Sequence, residues 1–178
     1  LSIQKGFGIF DDMGLGKTVQ GLAIIKFHVE YTPTLFVVKS KLKFPFFKNI
    51  IRWLGPAYMP QIISTSKDYI FPNLKTYIIP YDLLRRFPRE KILALGIKLV
   101  VIDECQQIKN PDSSRTQEVR KIIGSSADIK VLALSGTPWK NRGEEFFPVL
   151  NMISPTKFSS HQAYLDRWVS YYYEGSKR

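Results

Sequence analysis

Short runs that are apolar on both faces alternate along this chain with longer stretches of helical pattern. TLFVV (34–38), KLVVID (98–103) and KVLALS (130–135) are the clearest runs. The apolar run from Phe7 to Phe10, QIIST (61–65) and TYII (76–79) are shorter strand candidates. Between them, Val19 to Val29 reads as a helix with apolar residues on more than one face. LKFPFFKNIIRWLG (42–55) reads as another, with Pro45 in its first turn and Gly55 near its end. YDLLRRF and EKILAL are helical around Pro88, and SRTQEVRKIIG (114–124) is a helix closed by Gly124. EEFFPVLNMI, interrupted by Pro148, and HQAYLDRWVSYYY complete the set. Strands apolar on both faces need cover on both sides. The expected fold class is therefore α/β, a parallel β-sheet sandwiched by helices. One domain over 1–155 is expected, with a helical C-terminal extension over 156–178.

Composition narrows the partners. The chain has 178 residues, 44% of them hydrophobic, and a net charge of +11. That charge points to a polyanionic partner, although a merely basic, soluble surface is the plainer alternative. Cys105 is the single cysteine. It excludes an internal disulfide and a cysteine-built metal site, and fits a reducing compartment. No apolar run reaches the length of a membrane span. LSIQKGFG has no signal-peptide pattern and no initiator Met, so a piece of something longer is expected.

The charge has a location. No Asp or Glu occurs between Glu30 and Asp68, an interval carrying Lys39, Lys41, Lys43, Lys48, Arg52 and Lys67. Phe44, Phe46, Phe47 and Trp53 interleave with them. The interval is either a groove for a nucleic-acid backbone or an amphipathic helix with aromatics in the core. The core reading is preferred for Phe46, Phe47 and Trp53. Lys39, Ser40 and Lys41 stand at a strand end, with Arg85 and Arg86 weaker additions to the same basic track. His28 and His161 are isolated and read as structural or surface residues.

DDMGLGKTVQ (11–20) follows the first apolar run and opens the first helix. A phosphate loop needs that strand-loop-helix order, with amides aimed at the anion. Gly14 and Gly16 permit a close backbone approach, Lys17 adds charge for the outer phosphates, and Thr18 offers a hydroxyl to magnesium. The general pattern has Gly where Asp11 stands, so the ten residues alone also fit an ordinary turn. Asp103 and Glu104 end the strongest strand. Strand carboxyl ends of a parallel sheet share one crevice with such a loop, where one acid can hold magnesium through water and the next can orient and deprotonate a water. Capping of the next helix is the plainer reading. LALSGTPWKN (132–141) places Ser135 and Thr137 at a third strand end, where their hydroxyls can report on the phosphates or simply form a turn around Gly136 and Pro138.

Together these stretches resemble the first RecA-like P-loop NTPase lobe of a superfamily 2 helicase-like ATPase, and more narrowly the Swi/Snf-type DNA translocases. That family's loop reads DEMGLGKT, its acidic motif DEAHxxKN or DEAQxxKN, and its third motif LTGTPxxN. Here they read DDMGLGKT (11–18), DECQQIKN (103–110) and LSGTPWKN (134–141). TLFVVKSKLKFPFFKNIIRWLG resembles motif Ia, which implies DNA contact by Lys39, Ser40 and Lys41, and TYIIPYDLLRR a block that usually reads as a strand followed by S/T-Y-x-x-L. The resemblance implies nucleotide binding by Asp12, Met13, Gly14, Leu15, Gly16, Lys17 and Thr18. It implies magnesium at Thr18 and Asp103, a catalytic set of Lys17, Asp103, Glu104 and Gln106, and coupling through Ser135, Gly136 and Thr137. ATP and Mg²⁺ are the implied cofactors. The implied partners are the backbone of duplex DNA and a second RecA-like lobe, with no membrane. The implied location is intracellular, with DNA: the nucleus if eukaryotic, the cytoplasm or nucleoid if bacterial or viral. Other superfamily 2 helicases, acting on RNA or DNA, and a non-catalytic nucleic-acid-binding module of the same fold remain alternatives. The chain departs from the family at Lys39 (usually Pro), Phe46 (usually Trp) and Cys105 (usually Ala). Gln4 is the single candidate for adenine recognition and stands too close to Lys17 for the usual spacing. No stretch resembles the second lobe, which delivers an arginine.

Overall fold

A computed structural model describes residues 5–138 and 142–169 of the chain. Six strands form one sheet: β1 (Gly6–Ile9), β2 (Thr34–Val38), β3 (Gln61–Ile62), β4 (Thr76–Pro80), β5 (Leu99–Asp103) and β6 (Lys130–Leu134). Their order is β1-β6-β5-β2-β4-β3, and every pairing is parallel. The helices are α1 (Lys17–Phe27), α2 (Lys43–Leu54), α3 (Tyr81–Leu84), α4 (Arg89–Leu93), α5 (Ser114–Gly124), α6 (Phe147–Ile153) and α7 (His161–Tyr164).

Successive strand residues point to opposite faces, and the core splits accordingly. Phe36, Val38, Ile78, Val101, Leu132 and Leu134 turn toward α1 and α2, where Leu22, Ile25, Phe46, Ile50 and Leu54 cover them. Leu35, Val37, Tyr77, Ile79, Val100, Ile102 and Val131 turn the other way, against Leu84, Ile92, Val119, Ile122, Val149 and Met152 from α3 to α6. β2 and β5 are buried along their whole length, which is why those two runs show no polar alternation.

Several boundaries differ from the pattern-based expectation, each for a local reason. α1 starts at Lys17 rather than Val19 and ends at Phe27. QIIST yields only Gln61–Ile62, because the chain leaves the sheet edge after two paired residues. EKILAL stops at Leu93. SRTQEVRKIIG, by contrast, forms a helix that ends at Gly124 as expected, and Ser125 caps in right-handed geometry. Pro148 does not interrupt a helix but stands in the first turn of α6, where a missing amide costs nothing. Residues 143–146 ahead of it form a 3₁₀ turn. Trp53 is 40% exposed instead of buried, with the Arg52 guanidinium 5.3 Å from its ring centre, while Phe46 does enter the core. After α7 the helix widens to a π-type turn over Leu165–Val169; the remaining SYYY lies outside the described residues. No helix among the described residues is long and apolar enough to cross a membrane.

Candidate active site

β1, β6 and β5 are consecutive in the sheet, so the segments that follow them are neighbours. Ile9 pairs with Leu134, and Leu134 pairs with Asp103. That register brings the 10–16 loop, Ser135 and Asp103 to one corner of the carboxyl edge.

In the loop, Gly14 and Gly16 have φ of 86° and 77°, left-handed values that a side chain would strain. Space is open where their Cβ atoms would stand. Gly16 is the N-cap of α1 without a side-chain bond to the first amides, so these amides face the space above the loop. Thr18 lies in that first turn. The Lys17 ammonium folds over the loop and donates to the carbonyls of Asp11 (2.7 Å) and Asp12 (2.8 Å). Met13 and Leu15 are exposed. Gln20, which the sequence reading missed, donates through Nε2 to Asp11 Oδ2 (2.8 Å) and to the Leu15 carbonyl (3.1 Å). Asp11 is thus a brace between loop and helix. The signal that could have exposed Gln20 is its place in the first turn after Lys17, on the loop side of the helix.

Asp103 ends β5 and is buried. Burial pushes its pKa up to about 7 and the adjacent Glu104 adds to this, while Lys39 and Lys17 pull the other way. Its carbonyl accepts from the buried Tyr81 hydroxyl at 2.7 Å. Glu104 has a left-handed backbone, φ 53° and ψ 56°, uncommon for a residue with a side chain. The kink turns the 3₁₀ segment Cys105–Ile108 away from the strand. Such local strain is held by surrounding contacts, and here they are on view. Gln106 Nε2 donates to Glu104, Ser135 Oγ donates to Gln106 Oε1 (2.8 Å), and the Thr137 amide donates to Ser135 Oγ (2.9 Å). Thr137 joins through its backbone amide. Gly136 fits against the glycine loop: a Cβ there would stand 3.1 Å from Met13 Cγ and 3.3 Å from Lys17 Nζ. Cys105 is fully buried, and burial pushes its thiol up to about 12. Lys109 pairs with Glu145 at 2.6 Å, and Asn110 Oδ1 caps the next turn through the Asp112 amide.

The three residues assigned to DNA contact separate. β2 lies beside β5, and Lys39, half-buried, stands near enough to favour the ionised form of Asp103. Ser40 Oγ donates to Asp82 Oδ2 at 3.1 Å. Asp82 also holds Arg115 (3.0 Å), which reaches Gln107 Oε1 (2.9 Å) and lies over the Tyr81 ring. Lys41 is exposed. Gln4 and the Trp139, Lys140 and Asn141 of the third motif lie outside the described residues.

No group of three or more His, Cys, Asp or Glu among the described residues is placed to hold a metal. The available donors are one strand-end carboxylate and one first-turn hydroxyl. That set fits Mg²⁺, which commonly takes one or two protein ligands and draws the rest from water and substrate phosphates.

Comparison with known proteins agrees in extent. The SNF2-related domain matches residues 4–177. The Xenopus laevis protein "SWI/SNF-related matrix-associated actin-dependent regulator of chromatin subfamily A-like protein 1" is 34% identical over 83% of the chain. The human "DNA annealing helicase and endonuclease ZRANB3" is 30% identical over 90% of it. The chain spans about 15% of the length of either relative. Among solved structures, the Sulfolobus solfataricus SWI2/SNF2 ATPase core in complex with dsDNA is similar over 96% of this chain and 36% of its own, with a TM-score of 0.75 and 25% identity. The sheet and its covering helices are therefore those of an ATPase core of RecA-like type.

Proposed function

The chain belongs to the SNF2-related domain family, and on that premise we propose that it is the ATP-binding lobe of a DNA-dependent, Swi/Snf-type translocase that turns ATP hydrolysis into movement along duplex DNA. Residues 1–155 form the lobe, and 156–178 lead toward a second one. The observation that carries the reading is the hydrogen-bonded line Glu104–Gln106–Ser135–Thr137, with Gly136 seated against the loop that holds Lys17. Two strand ends with no sequence proximity share one polar network, and a glycine of the second seats against the loop of a third, which a set of unrelated turns has no reason to do.

In this reading Lys17 and the amides of residues 12–18 receive the β- and γ-phosphates. Thr18 and Asp103 hold Mg²⁺, which supplies charge neutralisation on the transferred phosphoryl group. Glu104 orients the attacking water and takes its proton. Gln106 senses that exchange and passes it to Ser135, Gly136 and Thr137. Lys41, with Lys39 and Ser40, meets the DNA backbone, in keeping with the dsDNA named for the Sulfolobus core. The protein works with DNA inside the cell.

Lys17→Ala tests the site. Its loss removes a charge-assisted contact, so mant-ATP affinity should fall by roughly ten- to a hundredfold while the circular dichroism spectrum stays unchanged. Undiminished binding in that variant would sink the assignment.

A further inference from the structure

The segment joining β3 to β4 has no part in the site described. Its main chain is pinned from three directions. The Asp68 carboxylate accepts from the amides of Ser64 (2.7 Å) and Thr65 (3.1 Å) and from the Thr65 hydroxyl. Gln61, reaching out from the edge strand, donates to the Tyr69 carbonyl (2.6 Å) and accepts from the Phe71 amide (2.9 Å). The Tyr77 hydroxyl donates to the Phe71 carbonyl (2.8 Å) and accepts from the Leu74 amide (3.2 Å). Ile70 and Leu74 turn inward and pack on the core. Tyr69 and Phe71 turn outward, 70% and 57% exposed, with ring centres 5.2 Å apart at 80°. Burial of such rings is a leading favourable term in folding, and this loop forgoes it twice on a backbone held in place.

The surroundings are cationic. Asp68 is the sole acid between Glu30 and Asp82, and its carboxylate is committed to Ser64 and Thr65. Lys43 donates to Ser64 Oγ at 3.3 Å, so the loop starts beside the Ser40–Leu42 turn and α2. In the chain, exposed Lys67 precedes the two rings and exposed Lys75 follows them, the latter with its ammonium 4.5 Å from the Tyr58 ring centre. A partner must therefore offer negative charge and flat apolar faces together. A duplex supplies the charge but keeps its base faces inside the stack; an unpaired strand supplies both.

We propose that Tyr69 and Phe71 form a stacking site for an unpaired base of single-stranded DNA, whose phosphates are met by Lys67 and the lysines of the adjoining turn. The proposal rests on DNA as the partner and adds a single-stranded contact to the duplex track.

The test uses the 178-residue chain with three labelled DNAs: a blunt duplex, the same duplex with an unpaired tail, and the tail alone. Tyr69→Ala with Phe71→Ala should weaken binding of the tail by roughly ten- to a hundredfold and leave the blunt duplex unchanged. Tyr69→Trp should retain tail binding, and unchanged melting curves should exclude misfolding. Irradiation of the wild-type chain with a 5-iododeoxyuridine tail should place the crosslink on the tryptic peptide 68–75. Equal losses on tail and blunt duplex, no loss on either, or a crosslink confined to other peptides overturns the proposal. If the wild-type chain binds the blunt duplex but gains nothing from a tail, the stacking site fails and the duplex reading stands. Tail binding without duplex binding keeps the stacking site and removes the duplex contact, and binding of neither removes both.

Discussion

The corner where β1, β6 and β5 end and the flank that begins after β2 solve different problems. At the corner, polar side chains hold one another: Gln20 reaches Asp11, and Gln106 bridges Glu104 and Ser135. On the flank, side chains hold the backbone instead, and the groups left outward are lysines and aromatic rings. Chemistry on a phosphate needs atoms placed to within fractions of an ångström, so its residues are mutually constrained. Contact with a polymer backbone needs charge along a path and tolerates freedom in each contact. Changes at the corner should therefore act steeply and one residue at a time, and changes on the flank weakly and additively.

The largest expected effect tests the corner directly. Glu104→Gln should leave ATP affinity intact and lower phosphate release by about 10²–10⁴-fold, the usual weight of a general base. The assay belongs on a longer piece of the parent protein, which the proposed function expects to carry a second lobe. The 178-residue chain alone should turn over slowly and respond little to DNA, because an arginine finger contributes about 10³–10⁵ in rate. Loss of nucleotide binding together with hydrolysis would assign Glu104 to structure.

A smaller effect concerns Asp103. Its folded pKa of about 7 lies above the ordinary carboxylate value near 4. Below pH 4 both states hold the proton and nothing is lost. Between pH 4 and 7 the unfolded chain releases it first, so the folded state loses up to about 4 kcal/mol of stability across that window. Asp103→Asn should flatten the fall in melting temperature between pH 5 and 8 in metal-free buffer, and raise the melting point at pH 8. Mg-ATP, which needs the ionised carboxylate, should stabilise the wild-type chain at pH 8 and the variant hardly at all. Parallel pH profiles for the two proteins would show that Asp103 ionises freely in the fold.

The smallest effect sharpens the flank. Lys41→Ala should weaken duplex binding without sequence preference and reduce the log–log salt slope by roughly one. Titration by fluorescence anisotropy at several salt concentrations reads it. A sequence-dependent loss or an unaltered slope would take Lys41 off the DNA track.

The residues of the corner could be picked out in the sequence because the chemistry proposed for them demands residue types at strand ends: glycines, a lysine and a hydroxyl after β1, adjacent acids where β5 ends. What stayed hidden depends on sheet order. That Lys39 stands near Asp103, that Tyr81 holds the Asp103 carbonyl, and that Gln106 reaches Ser135 all follow from β5 lying between β2 and β6. Hydrophobic runs mark strands without ranking their neighbours. Trp53 misled because helical spacing puts it near the buried stripe of α2, although that stripe ends with Phe46, Ile50 and Leu54. Pro148 misled because proline both stops helices and starts them, and the difference lies in backbone geometry.

The strand order also sets a sequence in time. β2, β4 and β5 can assemble from stretches close together in the chain, but β1 pairs with β6 alone, Gly6 opposite Val131. Of these six strands the first in the chain is thus the last to find its place, and it waits unpaired until β6 is made. On the proposed reading, Lys17 has no phosphate site to serve until β6 is in place. Nucleotide can act on this lobe only as a late ligand, one that locks a finished sheet and has no hand in starting it.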